Sequence, residues 1–157
     1  MEEKNKFMLK VIELSIKSAE TIGGPFGCVI VKENKIISEG SNKVTSTNDP
    51  TAHGEIVAIR EACLILNTFN LSGCELYSTC EPCPMCLSAI YWSHIDKIFY
   101  ANTRDDAKNI DFDDSFIYSE IILLSFTTTL PKGPPVVFAL LIDSSIAVSI
   151  NLFFSSI

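Results

Sequence analysis

Basic residues are scarce in this chain. Twelve Lys and Arg face 19 Asp and Glu, a formal charge of −7 at pH 7. A surface that acidic argues against a general grip on phosphate backbones, so no nucleic-acid partner is expected. Met1-Glu2-Glu3-Lys4-Asn5-Lys6 has no apolar run behind a basic start, so no secretory leader is expected. Internal repeats and low-complexity linkers are also absent. Disorder is excluded by composition, since 47% of residues are hydrophobic and 20% charged. A chain of 157 residues suits one domain that buries a core without staples.

Six cysteines are present: Cys28, Cys63, Cys74, Cys80, Cys83 and Cys86. An even count can signal disulfides in a secreted protein. Here Cys80, Cys83 and Cys86 stand three apart, the crowding of a metal or redox site in a reducing compartment. Free thiols and a cytoplasmic location are therefore expected. Cys28, Cys63 and Cys74 read as small core residues.

Periodicity predicts the elements. Phe7, Met8, Val11, Ile12, Ser15 and Ala19 recur at helical spacing over residues 4–20. Gly23-Gly24-Pro25 ends that helix. Phe26 to Val31 reads as a strand, Glu33-Asn34-Lys35 as a turn, and Lys35 to Glu39 as the returning strand. Residues 41–50 read as a loop. Asp49-Pro50-Thr51 announces a helix with Ile56, Ile59, Arg60, Cys63 and Leu64 on one side. A strand over Leu71 to Thr79 follows. Pro82 opens another helix, running to about Trp92. Lys97 to Ala101 reads as a strand and Phe112 to Ile122 as a helix. Strands and helices alternating after a hairpin predict an α/β sheet covered by helices on both faces.

The end of the chain is nearly free of charge, with only Lys132 and Asp143 between Ile121 and Ile157. Val136 to Ile157 approaches the length of a membrane span. Asp143 within it is costly to insert, and Ser144, Ser145, Ser149 and Asn151 weaken the case further. One or two buried strands are the expected reading, and a membrane partner is not.

Chemistry concentrates at His53, Glu55, Cys83 and Cys86. Two cysteines three apart at a helix start share one face. The free N–H groups and dipole there favour the thiolate a metal needs. One imidazole and two thiolates suit zinc, and three protein ligands leave a fourth position for water. Zinc brings that water's pKa toward about 7. Glu55, two residues after His53 in a first helical turn, is placed to shuttle protons rather than to bind metal. His53-Gly54-Glu55 with Pro82-Cys83-Pro84-Met85-Cys86 is the H-x-E and P-C-x-x-C pairing of zinc deaminases that act on nucleobases. Two other readings remain open. An iron–sulfur run through Cys80, Cys83 and Cys86 lacks a fourth cysteine in register. Cys80 could also close a structural Cys₃His zinc site. His94, past a helix end, reads as a solvated or capping residue.

Four stretches carry a family resemblance: Gly23-Gly24-Pro25-Phe26-Gly27, Ser46 to Arg60, Cys80 to Trp92, and Phe112-Asp113-Asp114-Ser115-Phe116-Ile117-Tyr118. Over residues 5–122 the chain resembles the short microbial guanine deaminases of the cytidine deaminase-like zinc deaminase family. The resemblance implies a three-layer α-β-α fold with a mixed central sheet. It implies hydrolysis of guanine to xanthine and ammonia by a zinc-activated hydroxide with a Glu proton shuttle. His53, Cys83 and Cys86 would bind one zinc ion. Glu55 would take a proton from the water, deliver it to guanine N3 and then to the departing amine. Asp114 would recognise the guanine edge and assist proton movement. Asn42 would hydrogen-bond the purine, and Phe26 and Trp92 would line the base pocket.

The resemblance further implies a deaminase domain over residues 1–122, followed by an atypical apolar tail over 123–157. A homodimer is expected from the family habit. Gly54 stands where the family more often has Ala, and Gly at this place resembles the pattern of fungal cytosine deaminases. Guanosine, cytosine or tRNA adenosine as substrate, or a zinc module impaired by its tail, are the alternatives.

Overall fold

The computed structural model describes residues 2–21, 23–109, 111–117 and 136–139. The elements run α1 (Glu2–Ala19), β1 (Gly27–Lys32), β2 (Lys35–Ser41), α2 (Val44–Thr47), α3 (Gly54–Leu66), β3 (Cys74–Cys80), α4 (Pro84–Trp92), β4 (Lys97–Asn102), α5 (Arg104–Lys108) and β5 (Val136–Ala139). They form one mixed sheet of order β2-β1-β3-β4-β5. β1 pairs antiparallel with β2 and β3, while β3, β4 and β5 run parallel.

Strand periodicity divides the core between the two faces. Cys28 and Ile30 of β1, Leu76 of β3 and Ile98 of β4 pack with Ala58, Ile59 and Ala62 of α3 and Ile90 of α4. Their neighbours Val29, Val31, Tyr77 and Phe99 face the other way, against Phe7, Met8 and Val11 of α1. Successive side chains on a strand point to opposite faces, so a strand covered on both sides must be apolar throughout. β1 meets that demand, with five of its six residues buried. Helices on both faces of a mixed sheet give the expected three layers.

Local chemistry sets the connections. Glu33 and Asn34 both take positive φ, 48° and 64°, which is the two-residue turn that matches hairpin twist. Gly40 on β2 lets α3 approach closely, since a Cβ there would sit 2.7 Å from the Ala58 nitrogen.

Several expected boundaries move. α3 begins at Gly54 rather than near Pro50, because residues 49–53 are committed to a side-chain turn. Thr51 donates to Asp49 Oδ1 through both its N–H (2.8 Å) and its hydroxyl (2.6 Å). Leu64 is 76% exposed, so it does not share the buried side of α3. Within the expected loop 41–50 lies the single turn α2. Pro84, not Pro82, occupies the first turn of α4, with Cys83 as its N-cap. α5 was not expected. Its start is a capping box in which Thr103 and Asp106 satisfy each other's backbone N–H groups. Five residues are too few to show periodicity. Phe112 to Asp114 are not helical, and helix begins only at Ser115. The expected helix beyond Ile117 and the tail apart from β5 lie outside the described residues.

Candidate active site and metal centre

Two helix N-termini build the centre. His53 is the N-cap of α3 and Cys83 the N-cap of α4, both with extended backbone (ψ 157° and 166°). Cys86 follows in the first turn of α4. The loop that delivers His53 is braced at both ends. Lys43 N–H donates to the Ala52 carbonyl at 2.8 Å, and Arg60 of α3 reaches Asp49 at 3.3 Å.

His53 Nδ1 lies 3.7 Å from Cys83 Sγ and 3.5 Å from Cys86 Sγ. All three donor atoms lie within 4.8 Å of one another. A tetrahedral zinc with Zn–S near 2.3 Å and Zn–N near 2.05 Å sets its N and S donors about 3.6 Å apart. The donor geometry therefore fits zinc, and an imidazole with two thiols is the ligand chemistry zinc prefers. Cys80 stands apart from this group. Its Sγ turns to the Thr103 carbonyl at 3.8 Å, and burial pushes its thiol up to about 12. That removes the closed Cys₃His arrangement and leaves three protein donors. All six cysteines are free.

Electrostatics at the centre are strongly coupled. The Cys86 thiol and then His53 donate to the Cys83 sulfur and hold its pKa down at about 4. The same hydrogen bond, with burial, pushes Cys86 the other way. Cys83 is thus the first of the pair to become a thiolate, and that anion raises the His53 pKa. Glu55 is 7% exposed at the start of α3. Ser78 of β3 donates to its Oε1 at 3.0 Å, and Cys86 Sγ lies 3.4 Å from its Oε2. Burial raises the Glu55 pKa, and the nearby Cys83 adds to it.

A cavity of about 450 Å³ opens over the centre. That size lies within the usual range for small-ligand sites. Its wall joins His53, Glu55 and Cys83 to Phe26, Asn42 and Asp114. Asn42 sits before α2, and its Oδ1 accepts from Val44 N–H at 2.9 Å. The amide therefore offers its Nδ2 end as donor. Asp114 is half-buried, and burial raises its pKa. Trp92 does not join them. It ends α4, away from the Cys83 end, is 79% exposed, and is absent from the described cavity wall.

Sequence reasoning did not single out Glu81, Arg104, Asp111, Phe112 and Asp113, which also line the cavity. Phe112 meets Phe26 edge to face, with ring centroids 5.1 Å apart. The signal for Phe112 was present, since it precedes the Asp113-Asp114 pair in a stretch that carries the resemblance. Nothing in the sequence said that this stretch folds back onto Phe26. Among the described residues no helix is long and apolar enough to cross a membrane.

Comparison with known proteins agrees with this geometry. The model of the cytidine and deoxycytidylate deaminase zinc-binding region matches residues 1–102. A guanine deaminase of Bacillus subtilis is 51% identical over 126 residues, covering 80% of this chain and 81% of that protein. A solved guanine deaminase structure from Bacillus subtilis superposes with a TM-score of 0.73 at 42% identity, over 95% of this chain and 92% of that one. A tRNA-specific adenosine deaminase of Aquifex aeolicus is 48% identical over 97 residues, 61% of this chain and 64% of that protein. A solved protein in complex with 8-azaguanine superposes with a TM-score of 0.75 at 26% identity, over 96% of this chain and 84% of that one. The chain thus belongs to the cytidine and deoxycytidylate deaminase zinc-binding family, as a hydrolytic deaminase whose His53, Cys83 and Cys86 are positioned for one zinc ion.

Proposed function

We propose that this chain deaminates guanine to xanthine and ammonia. The observation that carries the reading is that Asp114 shares one cavity wall with Glu55, His53 and Cys83. The likeness to the Bacillus subtilis guanine deaminase supports it. His53, Cys83 and Cys86 would hold zinc, whose Lewis acidity would make water a competent nucleophile at neutral pH. Glu55 does the proton work. Ser78 holds Oε1, which leaves Oε2 on the metal side. A carboxyl whose pKa burial has raised both accepts and returns a proton, here at guanine N3 and then at the departing amine. Asp114, an acceptor when ionised, pairs with the N–H groups along the guanine N1 and 2-amino edge. Asn42 offers Nδ2 to a ring acceptor. Polar groups matched to those ring positions reject bases that lack them.

Three finer points belong to this reading. The six free cysteines fit a reducing, cytoplasmic setting, and guanine deamination would be a step of purine breakdown. Leu87, Tyr91 and Trp92 leave an exposed apolar flank on α4, which supports pairing of two copies. The cavity lining includes Glu81, Asp111 and Asp113 against Arg104. That balance, with the net charge of −7, favours a neutral base over a phosphate-bearing strand.

The test is ammonia release from guanine by purified protein, with zinc measured on the same sample. Guanosine, cytosine and an anticodon stem-loop of tRNA serve as competing substrates. Turnover of guanine with about one zinc per chain is the expected result. A zinc-loaded protein that deaminates tRNA adenosine or cytosine but not guanine would overturn the reading.

A further inference from the structure

We propose that Asp49 and Arg60 are positioning residues for the metal donor His53. With Thr51 they form a clasp that holds the His53 backbone, and with it the imidazole, in the pose a zinc ion needs. The inference goes beyond the guanine reading and does not depend on which base is deaminated.

Among the described residues, the His53 ring makes hydrogen-bonding contact only with the two cysteines, through Nδ1. A metal-binding histidine is usually oriented by a partner on its other ring nitrogen. Here orientation falls to the backbone that carries the ring. His53 N–H donates to the Thr51 carbonyl at 2.8 Å, and the His53 carbonyl accepts from Val57 N–H at 2.9 Å. The second bond belongs to α3. The first makes the pose of Thr51 decisive.

Thr51 is held from two sides. Its N–H and its hydroxyl both donate to Asp49 Oδ1, at 2.8 and 2.6 Å. Arg60 then spans the pair, with Nη1 donating to Asp49 Oδ2 and Nη2 to Thr51 Oγ1, each at 3.3 Å. Arg60 lies about two turns into α3 from His53. Its guanidinium therefore ties the loop before the helix to the body of the same helix. A planar fork of donors bridges two acceptors at once. The ring of contacts from Asp49 through Thr51, His53 and α3 to Arg60 is closed, and it fixes the direction in which His53 leaves the loop.

A contribution to global stability is the competing explanation. Arg60 and Asp49 keep 59% and 36% of their side-chain surface exposed, and ion pairs that exposed add little to stability. A clasp that aims a ligand shows its effect in the metal site itself. Lys97 and Glu75 supply the control. They form an ion pair at 2.8 Å near the starts of β4 and β3, at the opposite end of β3 from Cys80.

The experiment uses the full chain, loaded with zinc or with cobalt(II) in its place. Transfer of zinc to a chromophoric chelator, well below Tm, is timed for wild type, Arg60→Met and Lys97→Met. Visible spectra of the cobalt forms report the ligand geometry. The expected result is zinc release about tenfold faster in R60M, the effect of losing a group that orients a ligand, with its cobalt ligand-field bands shifted. K97M should match wild type in both. R60M with wild-type release and wild-type bands overturns the inference and leaves the guanine reading standing. K97M releasing zinc as fast as R60M also overturns it, because general loosening then explains the effect. A wild type that takes up no metal overturns the metal centre and this inference together. Should R60M fail to fold, Thr51→Val decides. Valine keeps the backbone N–H and the branched shape and removes the hydroxyl that Asp49 and Arg60 share. Faster release with shifted cobalt bands in T51V supports the clasp, and wild-type behaviour in both overturns it.

Discussion

Gly54 separates the metal donor His53 from Glu55, and its packing makes a two-sided prediction. A Cβ at Gly54 would lie 3.4 Å from the Phe26 carbonyl oxygen, 3.5 Å from the Gly40 carbonyl oxygen and 3.7 Å from Cys28 Cβ. Those are ordinary van der Waals separations, and Gly54 has no positive φ to lose. Gly54→Ala should therefore fit without moving either neighbour of the zinc centre. Replacing Gly with Ala in a helix at an unstrained site stabilises by about 0.4 to 1 kcal/mol. In a domain of this size that raises Tm by roughly 1 to 4 °C.

Gly40 faces the same place from β2 and behaves oppositely. A Cβ there would overlap the Gly54 carbonyl oxygen and crowd Ala58 N at 2.7 Å and Ala58 Cβ at 3.0 Å. All three lie on α3, so β2 and α3 must part for alanine to enter. Overpacking of that kind costs about 1 to 3 kcal/mol, a fall in Tm of roughly 2 to 12 °C. The displaced helix start carries His53 with it, so zinc occupancy should fall as well. Thermal unfolding by circular dichroism, with zinc determined by elemental analysis, reads both variants. Destabilisation by Gly54→Ala, or native Tm and full zinc in Gly40→Ala, would refute the packing argument.

The remaining predictions concern the chemistry and its supports. Glu55→Gln should keep its Ser78 bond and its zinc while turnover falls by about 10² to 10⁴, as loss of a general acid–base group requires; steady-state assay and metal analysis on one sample check this. Ser78→Ala leaves Oε1 without its donor, and kcat should fall roughly tenfold with KM little changed. At Asp111, glycine should be accepted and valine should lower Tm, because a β-branched residue at φ 69° is strained by about 1 to 2 kcal/mol; equal melting of the two variants would contradict the left-handed turn. Stripping zinc with a chelator should lower Tm by roughly 5 to 11 °C relative to protein with zinc at about a hundred times its Kd, and added zinc should restore it.

Residue order alone determined the chemistry of this protein. A thiol pair three apart at a helix start and a histidine two before a glutamate announce their ligand roles by type and spacing, because coordination geometry tolerates few donor sets. The alternation of strands and helices announced the three layers, since each strand's period of two is visible in its own residues. Short elements were not legible. α2 and α5 bury too little to show a period, and the start of α3 was decided by Asp49 and Thr51 bonding to each other instead of to a helix. Tertiary structure alone decided which residues form the wall of the cavity. Phe112 stands 86 positions from Phe26 in sequence yet meets it at 5.1 Å, because a left-handed residue at Asp111 reverses the chain there. The resemblance alone put Trp92 in the pocket, and it lies outside the described wall. Helical phase and length put Cys83 and Cys86 at one end of α4 and Trp92 at the other, about 1.5 Å further along the axis with each residue.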